Sequence, residues 1–140
     1  MIDVLDTTSG KAVAKLSIDK SSAPAAMAFS PDKKRLFAGT YGNAVCILDM
    51  QTGKETRRFN AHGSGVQELT VSPDGTMLAT GGHGWFAVWD AKTGRRCMQH
   101  RSHGHSIFSL AFSPDNRTLA TGGADSTILF WDIPKDWNVD

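Results

Sequence analysis

The sequence predicts an all-β fold that repeats one unit of four short antiparallel strands. A Ser-Pro-Asp pattern occurs three times, and its prolines Pro31, Pro73 and Pro114 are 42 and then 41 residues apart. Short runs rich in Val, Ile, Phe, Leu, Trp and Thr alternate with turn formers, which is typical of strands joined by hairpins. No segment has sustained helical periodicity. A fixed period of this length indicates a repeat architecture.

Two further markers keep the same period. An aspartate closes an apolar run at intervals of 43, 41 and 42 residues, at Asp6, Asp49, Asp90 and Asp132. The pattern Leu-Ala-Thr-Gly-Gly is identical at residues 78–82 and 119–123, and Leu-Phe-Ala-Gly-Thr at 36–40 is a looser copy. Because the markers recur in the same order, each copy is expected to fold in the same way.

The chain opens in the middle of a unit, since Ile2 to Asp6 matches a third strand and Val13 to Ile18 a fourth. The middle unit predicts four strands: Val66 to Ser72, Met77 to Gly81, Trp85 to Asp90 and Arg96 to Arg101. In the last unit, Ile128 to Trp131 is apolar on successive residues, which favours a strand buried on both faces, as in radially stacked sheets. That unit has three strands, and Pro134 follows its end.

Composition and charge limit the classes of function. The 140 residues include 15 Lys plus Arg and 14 Asp plus Glu, so no global field favours nucleic acid or an anionic membrane. Neither a signal peptide nor an 18-residue apolar run is present, which favours a cytoplasmic location. Cys46 and Cys97 lack zinc-site spacing and are expected to be reduced, buried thiols.

The residues from about Ile2 to Ile133 resemble the WD-repeat β-propellers. Trp89-Asp90 and Trp131-Asp132 look like the signature dipeptide, and Leu48-Asp49 and Leu5-Asp6 are degenerate copies. His62 and His103 stand where the family has the histidine of a Gly-His pair, although Ala61 and Ser102 replace the glycine. The resemblance implies consecutive four-stranded antiparallel blades in an open partial ring. The expected bounds are 1–20 for the end of a preceding blade, 21–61, 62–102, the incomplete 103–134, and a tail at 135–140.

The resemblance also implies a structural hydrogen-bond network that links a turn aspartate, a loop histidine, a strand hydroxyl and the tryptophan. The last unit has all four, as Asp125, His103, Thr121 and Trp131. The middle unit has three, as His62, Thr80 and Trp89, with His83 in the place of the aspartate. The first unit has none, since the four positions hold Lys20, Ala38, Gly42 and Leu48. Stability is therefore expected to rise from the first blade to the last.

The same residue types also permit a catalytic or a metal-binding interpretation. Thr121, His103 and Asp125 have the residue types of a nucleophilic triad, but no nucleophile elbow or oxyanion loop accompanies them. His100, His103 and His105 form a cluster that a propeller enzyme or a metal-binding protein could use. We predict no enzyme activity, catalytic residue, metal or cofactor, and we keep that cluster as the alternative.

A third alternative is RNA binding through small basic groups at residues 33–35, 57–58 and 95–96. Acidic residues accompany two of these groups, and aromatic interleaving is missing, so nucleic acid is not the expected partner.

The turns between second and third strands lie where this family commonly binds partners. The candidate binding face consists of Tyr41, Asn43, His83, Trp85 and His105. Exposed Tyr and Trp are frequent hot-spot residues, although Trp85 would contribute nothing if it packed against a neighbouring blade. The leading function is a protein–protein interaction scaffold or sensor module, a segment of a larger WD-repeat protein. Its partners would include the rest of its own propeller or a second copy.

Overall fold

A computed structural model of the chain describes residues 1–18 and 23–135, which form twelve strands in three antiparallel sheets. The first sheet is a hairpin of β1 (Ile2–Leu5) and β2 (Ala12–Leu16). The second contains β3 (Pro24–Phe29), β4 (Arg35–Thr40), β5 (Ala44–Asp49) and β6 (Glu55–Asn60) in that order. The third, with six strands, contains β7 (Glu68–Val71), β8 (Met77–Gly81), β9 (His83–Asp90), β10 (Arg96–Phe112), β11 (Thr118–Gly123) and β12 (Ile128–Asp132). Within the described ranges, no helix could span a membrane.

The aspartates that close the apolar runs cap the turns that follow them. Oδ1 of Asp49 accepts the backbone N–H groups of Gln51 and Thr52 at 2.9 and 2.7 Å. Asp6 and Asp90 accept from the equivalent pairs, Thr8 with Ser9 and Lys92 with Thr93. These bonds lower the pKa of Asp49, mainly through the Thr52 N–H. The repeated aspartate is therefore a turn determinant.

The Ser-Pro-Asp turns are held by a second repeated pattern. Ser72 Oγ donates to Asp74 Oδ1 at 2.7 Å and accepts the Met77 N–H at 2.9 Å. The same two bonds occur in the other copies, at Ser30, Asp32 and Arg35 and at Ser113, Asp115 and Thr118. Each Asp precedes a residue with left-handed φ, at 60° for Lys33, 76° for Gly75 and 61° for Asn116. The short hairpins of each unit therefore share one geometry.

The apolar core lies between consecutive units. One cluster joins the four-stranded sheet to β7–β9, a second joins β8–β9 to the last three strands, and a third covers β4–β5 with the first hairpin. A Cβ added at Gly39 would lie 2.3 Å from Val66 Cγ1, and one at Gly81 would lie 3.0 Å from Ile107 Cγ2. In the first two full units, a glycine on the second strand thus receives a β-branched side chain from the next unit, which is close face-to-face packing.

The outer face of the last unit is open in the described part of the chain. Ile128 and Phe130 are 68% and 75% exposed, so the expectation that this strand is buried on both faces is wrong. Their side chains alternate with the half-buried Leu129 and Trp131, because in the described residues only one face of β12 is covered by the preceding unit. At Gly122, an added Cβ would meet only Ser109 Cβ, at 3.7 Å.

Strand β10 differs from the strand predicted over Arg96 to Arg101, because it continues to Phe112. It pairs with β9 as far as Ser106 and then with β11, with an irregular register between Arg101 and Ser106. The expected blade boundary between residues 102 and 103 therefore lies inside one strand. The expected boundary between residues 61 and 62 lies in the segment between β6 and β7, while that between residues 20 and 21, and all of the expected tail 135–140 except residue 135, lie outside the described residues.

Candidate functional site

A buried histidine organises the last unit. His103 is 2% exposed, and its Nδ1 lies 2.9 Å from Asp125 Oδ2 while its Nε2 lies 2.9 Å from Thr121 Oγ1. The Trp131 indole N–H donates to the same Thr121 oxygen at 3.1 Å. Because a carboxylate only accepts, the proton is on Nδ1, and Nε2 accepts from the Thr121 hydroxyl. The structure thus brings together all four residues expected here.

A second set of hydrogen bonds fixes the Asp125 side chain within the turn 124–127. Its Oδ1 accepts the Thr127 hydroxyl at 2.7 Å and the Thr127 N–H at 3.0 Å. The Thr127 hydroxyl is the largest of the causes that lower the pKa of Asp125 to about 2. The carboxylate therefore stays ionised at neutral pH and keeps its orientation towards His103.

This arrangement binds structural elements together. The Thr121 hydroxyl, which a nucleophilic triad would need free, is fully buried and bonded to both the His103 ring and the Trp131 indole. These hydrogen bonds link His103, at the start of the unit, to strands β11 and β12.

The middle unit has only one bond of this network. The Trp89 indole N–H donates to Thr80 Oγ1 at 2.9 Å, but neither ring nitrogen of buried His62 has a hydrogen-bond partner. This corrects the expectation that His62 joins Thr80. The turn is one residue shorter than in the last unit, and His83 in the aspartate position supplies no carboxylate to orient the ring. Burial lowers the pKa of His62, so its ring is neutral at neutral pH.

In the first unit, the apolar or small residues Ala38, Gly42 and Leu48 leave that network unformed, and Lys20 lies outside the described residues. Thr40 supplies a local substitute that the sequence analysis missed. Its buried hydroxyl lies 3.2 Å from both the N–H and the carbonyl oxygen of Ala44, across the turn. The sequence signal for this bond is the position of Thr40 directly before the turn.

The loops at one end of the units form a connected surface, which we call the upper face. It comprises the turns 41–43, 82–85 and 124–127 and the segments 61–66 and 102–106. The Gly65 N–H donates to Asn43 Oδ1, and the His83 N–H donates to Ser64 Oγ at 3.1 Å. Further along, the Ala124 N–H donates to the Ser106 carbonyl at 2.9 Å. These bonds link each turn to the segment beside it.

Two aromatic side chains stand out from this surface. Tyr41 is 67% exposed and Trp85 is 38% exposed. Their turns are held by left-handed residues, Asn43 with φ of 72° and Gly84 with φ of 77°. An added Cβ at Gly84 would lie 2.8 Å from the His103 carbonyl oxygen, so the turn lies close against the next segment. Both rings are therefore presented by constrained backbone.

The two histidines expected on this face lie near each other, whereas His100 of the alternative metal cluster packs against a different ring. His83 is exposed, with its Nδ1 3.2 Å from Ser106 Oγ, and its ring centroid lies 6.5 Å from that of His105. His100 stacks on Trp131 at 5.5 Å, away from both. In residues 1–18 and 23–135, no group of three His, Cys, Asp or Glu side chains is placed to hold a metal ion.

The remaining expected features are dispersed. Arg58 pairs with Glu55 at 2.8 Å, and Arg35 Nη1 donates to the Ala91 carbonyl at 2.8 Å. Cys46 and Cys97 form no disulfide, and the expectation that both thiols are buried is correct for Cys46 and wrong for Cys97. Cys97 is half-buried, because its outer strand lies at the edge of the unit.

Comparison with known proteins gives a consistent result. The family model described as WD domain, G-beta repeat matches residues 53–90 and 95–132, more than half of the chain. Protein groucho of Drosophila melanogaster is 38% identical over 64 residues, which are 44% of this chain and 9% of that protein. The crystal structure of the RRP9 WD40 repeats and the structure of U3-55K each superpose with a TM-score of 0.79 at 18% identity. They cover 83% of this chain, which spans 37% and 38% of theirs.

Proposed function

This chain belongs to the WD-repeat family, whose members generally serve as protein-interaction scaffolds, and from that premise we propose that it is a protein-binding segment of a larger WD-repeat protein. Its role would be that of a scaffold or sensor without catalytic activity. The two cysteines form no disulfide with each other, which supports the cytoplasm as its proposed location.

The observation that carries the proposal is the exposure of Tyr41 and Trp85 on the upper face. Large aromatic side chains offer much contact area and have few rotamers to lose on binding. Constrained turns lower the ordering cost further, because the backbone has its bound geometry before a partner arrives. The upper face is therefore suited to recognise another protein.

The test is to recover partners on the immobilised chain and then to measure the affinity of one purified partner for variants. Tyr41→Ala and Trp85→Ala are each expected to weaken binding by about 1 kcal/mol or more. Lys92→Ala, which changes an exposed side chain at the opposite end of the units, is the matched control.

Each variant is first required to keep the thermal midpoint of the wild-type chain. Unchanged affinity of both aromatic variants would overturn the proposed binding face.

A further inference from the structure

The exposed Trp85 of the upper face has a charged neighbour on the next strand. In the ladder between β9 and β10, Trp85 is directly opposed by Arg101, and the register becomes irregular only beyond that pair. Directly opposed side chains lie on the same face of a sheet, with Cβ atoms about 4.5–5.5 Å apart. Both side chains are exposed to solvent. The middle unit therefore presents an indole ring and a guanidinium group side by side.

The preceding unit does not repeat this pair. The interval of 41 residues between the two units relates Trp85 to Ala44 and Arg101 to Asn60. Ala44 and Asn60 are also directly opposed, in the ladder between β5 and β6, and Ala44 is 5% exposed. One unit is thus built with a small buried side chain and an uncharged one at these positions. The fold does not require a tryptophan beside an arginine there, so the pair is available for binding.

Within the described residues, the guanidinium group of Arg101 has no hydrogen-bond, ion-pair or ring partner. Arg35 and Arg96 differ, because Arg35 donates to the Ala91 carbonyl at 2.8 Å and Arg96 donates to Gln99 Oε1 at 2.6 Å. A guanidinium group has five N–H donors in a fixed fork, which matches the two oxygens of a carboxylate. Arg101 is therefore free to donate to an acceptor on another molecule.

The charges around this pair favour an acidic ligand. The loops of the upper face have one acidic residue, Asp125, and its carboxylate already pairs with the buried His103. His83 and His105, the exposed titratable groups of the neighbouring segments, can add positive charge and no negative charge. A carboxylate that approaches Arg101 thus meets little opposing charge.

We propose that Trp85 and Arg101 together bind a segment of a partner protein in which an acidic residue adjoins an apolar one. The carboxylate pairs with the guanidinium group, and the apolar side chain packs on the exposed indole ring. Nucleic acid fits less well, because binding its backbone draws on several cations and the loops of the upper face have no Lys or Arg. This inference rests on the proposed protein-binding function and adds a chemical specificity to it.

The experiment uses the full chain with ¹⁵N-labelled tryptophan and arginine at constant neutral pH. The probe is the peptide Gly-Leu-Glu-Gly, acetylated and amidated, and Gly-Leu-Gln-Gly with the same ends is its uncharged control. We expect the glutamate peptide to shift the side-chain resonances of Trp85 and Arg101 saturably. The glutamine peptide is expected to bind at least about tenfold more weakly. Trp89, which is 3% exposed, is the internal reference that should not shift.

A pair of arginine variants adds a second test. Arg101→Gln is expected to weaken binding of the glutamate peptide about tenfold and to leave binding of the glutamine peptide nearly unchanged. Arg96→Gln makes the same change of charge at an exposed position of the same strand, opposite Trp89, and is the matched control. It is expected to bind both peptides as the wild-type chain does. Both variants are first required to keep the wild-type thermal midpoint.

Equal binding of the two peptides, unchanged binding by Arg101→Gln, or an equal loss in Arg96→Gln would each overturn the inference. A stronger response of Arg101 to inorganic phosphate than to the glutamate peptide would also overturn it, because the group would then select phosphate. Loss of partner binding in Tyr41→Ala and Trp85→Ala, with no effect of Arg101→Gln, would leave the proposed function intact and reject the acidic specificity alone.

Discussion

The Thr121 hydroxyl pairs with one donor and one acceptor at the same time. Its hydroxyl pairs with both His103 and Trp131, whereas the equivalent Thr80 pairs with Trp89 alone. We expect Thr121→Val to lower the free energy of unfolding by about 1–3 kcal/mol for each group left unpaired. Thr80→Val, which is equally buried and leaves one such group, is expected to cost less. Chemical denaturation of the two variants compares them directly, and equal losses would contradict this account.

Asp125 makes the stability of the chain depend on acidity. Its pKa falls from 3.8 to about 2 on folding, mainly because the Thr127 hydroxyl donates to the carboxylate. Its contribution is complete above pH 4 and is lost as the pH falls towards 2, because the unfolded state then binds the proton more readily.

Asp125→Asn is therefore expected to lie below the wild-type chain in thermal midpoint at neutral pH and to approach it near pH 2. Melting curves across this range provide the measurement. A gap between the two that stayed constant with pH would show that the carboxylate charge has no role.

Residue spacing predicts the last-unit network but not the unpaired state of His62. The four residues of that network follow from motif positions, since each is of the required type. The condition of His62 depends on the turn after Thr80, which is one residue shorter than the turn after Thr121. The sequence shows that the middle unit has a histidine, but it does not show whether the ring nitrogens of His62 reach a partner.

At the level of the strand and turn, Gly84 combines a left-handed backbone with a close approach to neighbouring backbone. Its left-handed φ of 77° and its approach to the His103 carbonyl both disfavour a side chain. We expect Gly84→Ala to reduce stability by at least about 1–2 kcal/mol, the cost of the left-handed backbone alone. Gly104→Ala has open space and is expected to stay within about 0.5 kcal/mol. Denaturant midpoints of both variants test the difference.

The strands themselves were largely predictable, because aspartate caps and Ser-Pro-Asp turns mark their ends. The described hairpins begin and end close to those marks, as with Met77–Gly81. The continuation of β10 through Ser102 to Ser106 was not predictable, since His and Gly there carry no strand signal. Pairing with β9 and β11 imposes the extended conformation from outside the segment.

For the whole molecule, the open outer face of the last unit governs association. Phe108, Ile128 and Phe130 are exposed there, and Gly122 has the open space that receives Val66 and Ile107 in the preceding units. At the other end, Met27 and Phe29 are about half exposed. Uncovered apolar faces of repeat arrays associate or lose solubility.

We therefore expect the isolated 15.1 kDa chain to be other than a stable monomer at micromolar concentration. Phe130→Lys is expected to raise the monomer fraction, because it places a charge on the apolar face. Thr93→Lys, at an exposed turn elsewhere, is the matched control. Light scattering measures the mass of the species in solution, and a monodisperse wild-type species of monomer mass would refute the prediction.

The continuous strand β10 also determines where the array can come apart. In a repeat protein each unit contacts only its neighbours, so unfolding can begin at the junctions between units. Here one continuous strand runs through the middle and last units, since residues 96–106 pair with β9 and residues 107–112 pair with β11. Between the four-stranded sheet and β7, no strand is shared in the described residues, and the units are joined by side-chain packing, by the Val66 N–H bond to the Thr40 carbonyl and by the Gly65 N–H bond to Asn43. Within residues 23–135, we therefore expect the array to separate first between residues 60 and 68, where a loop joins the two sheets.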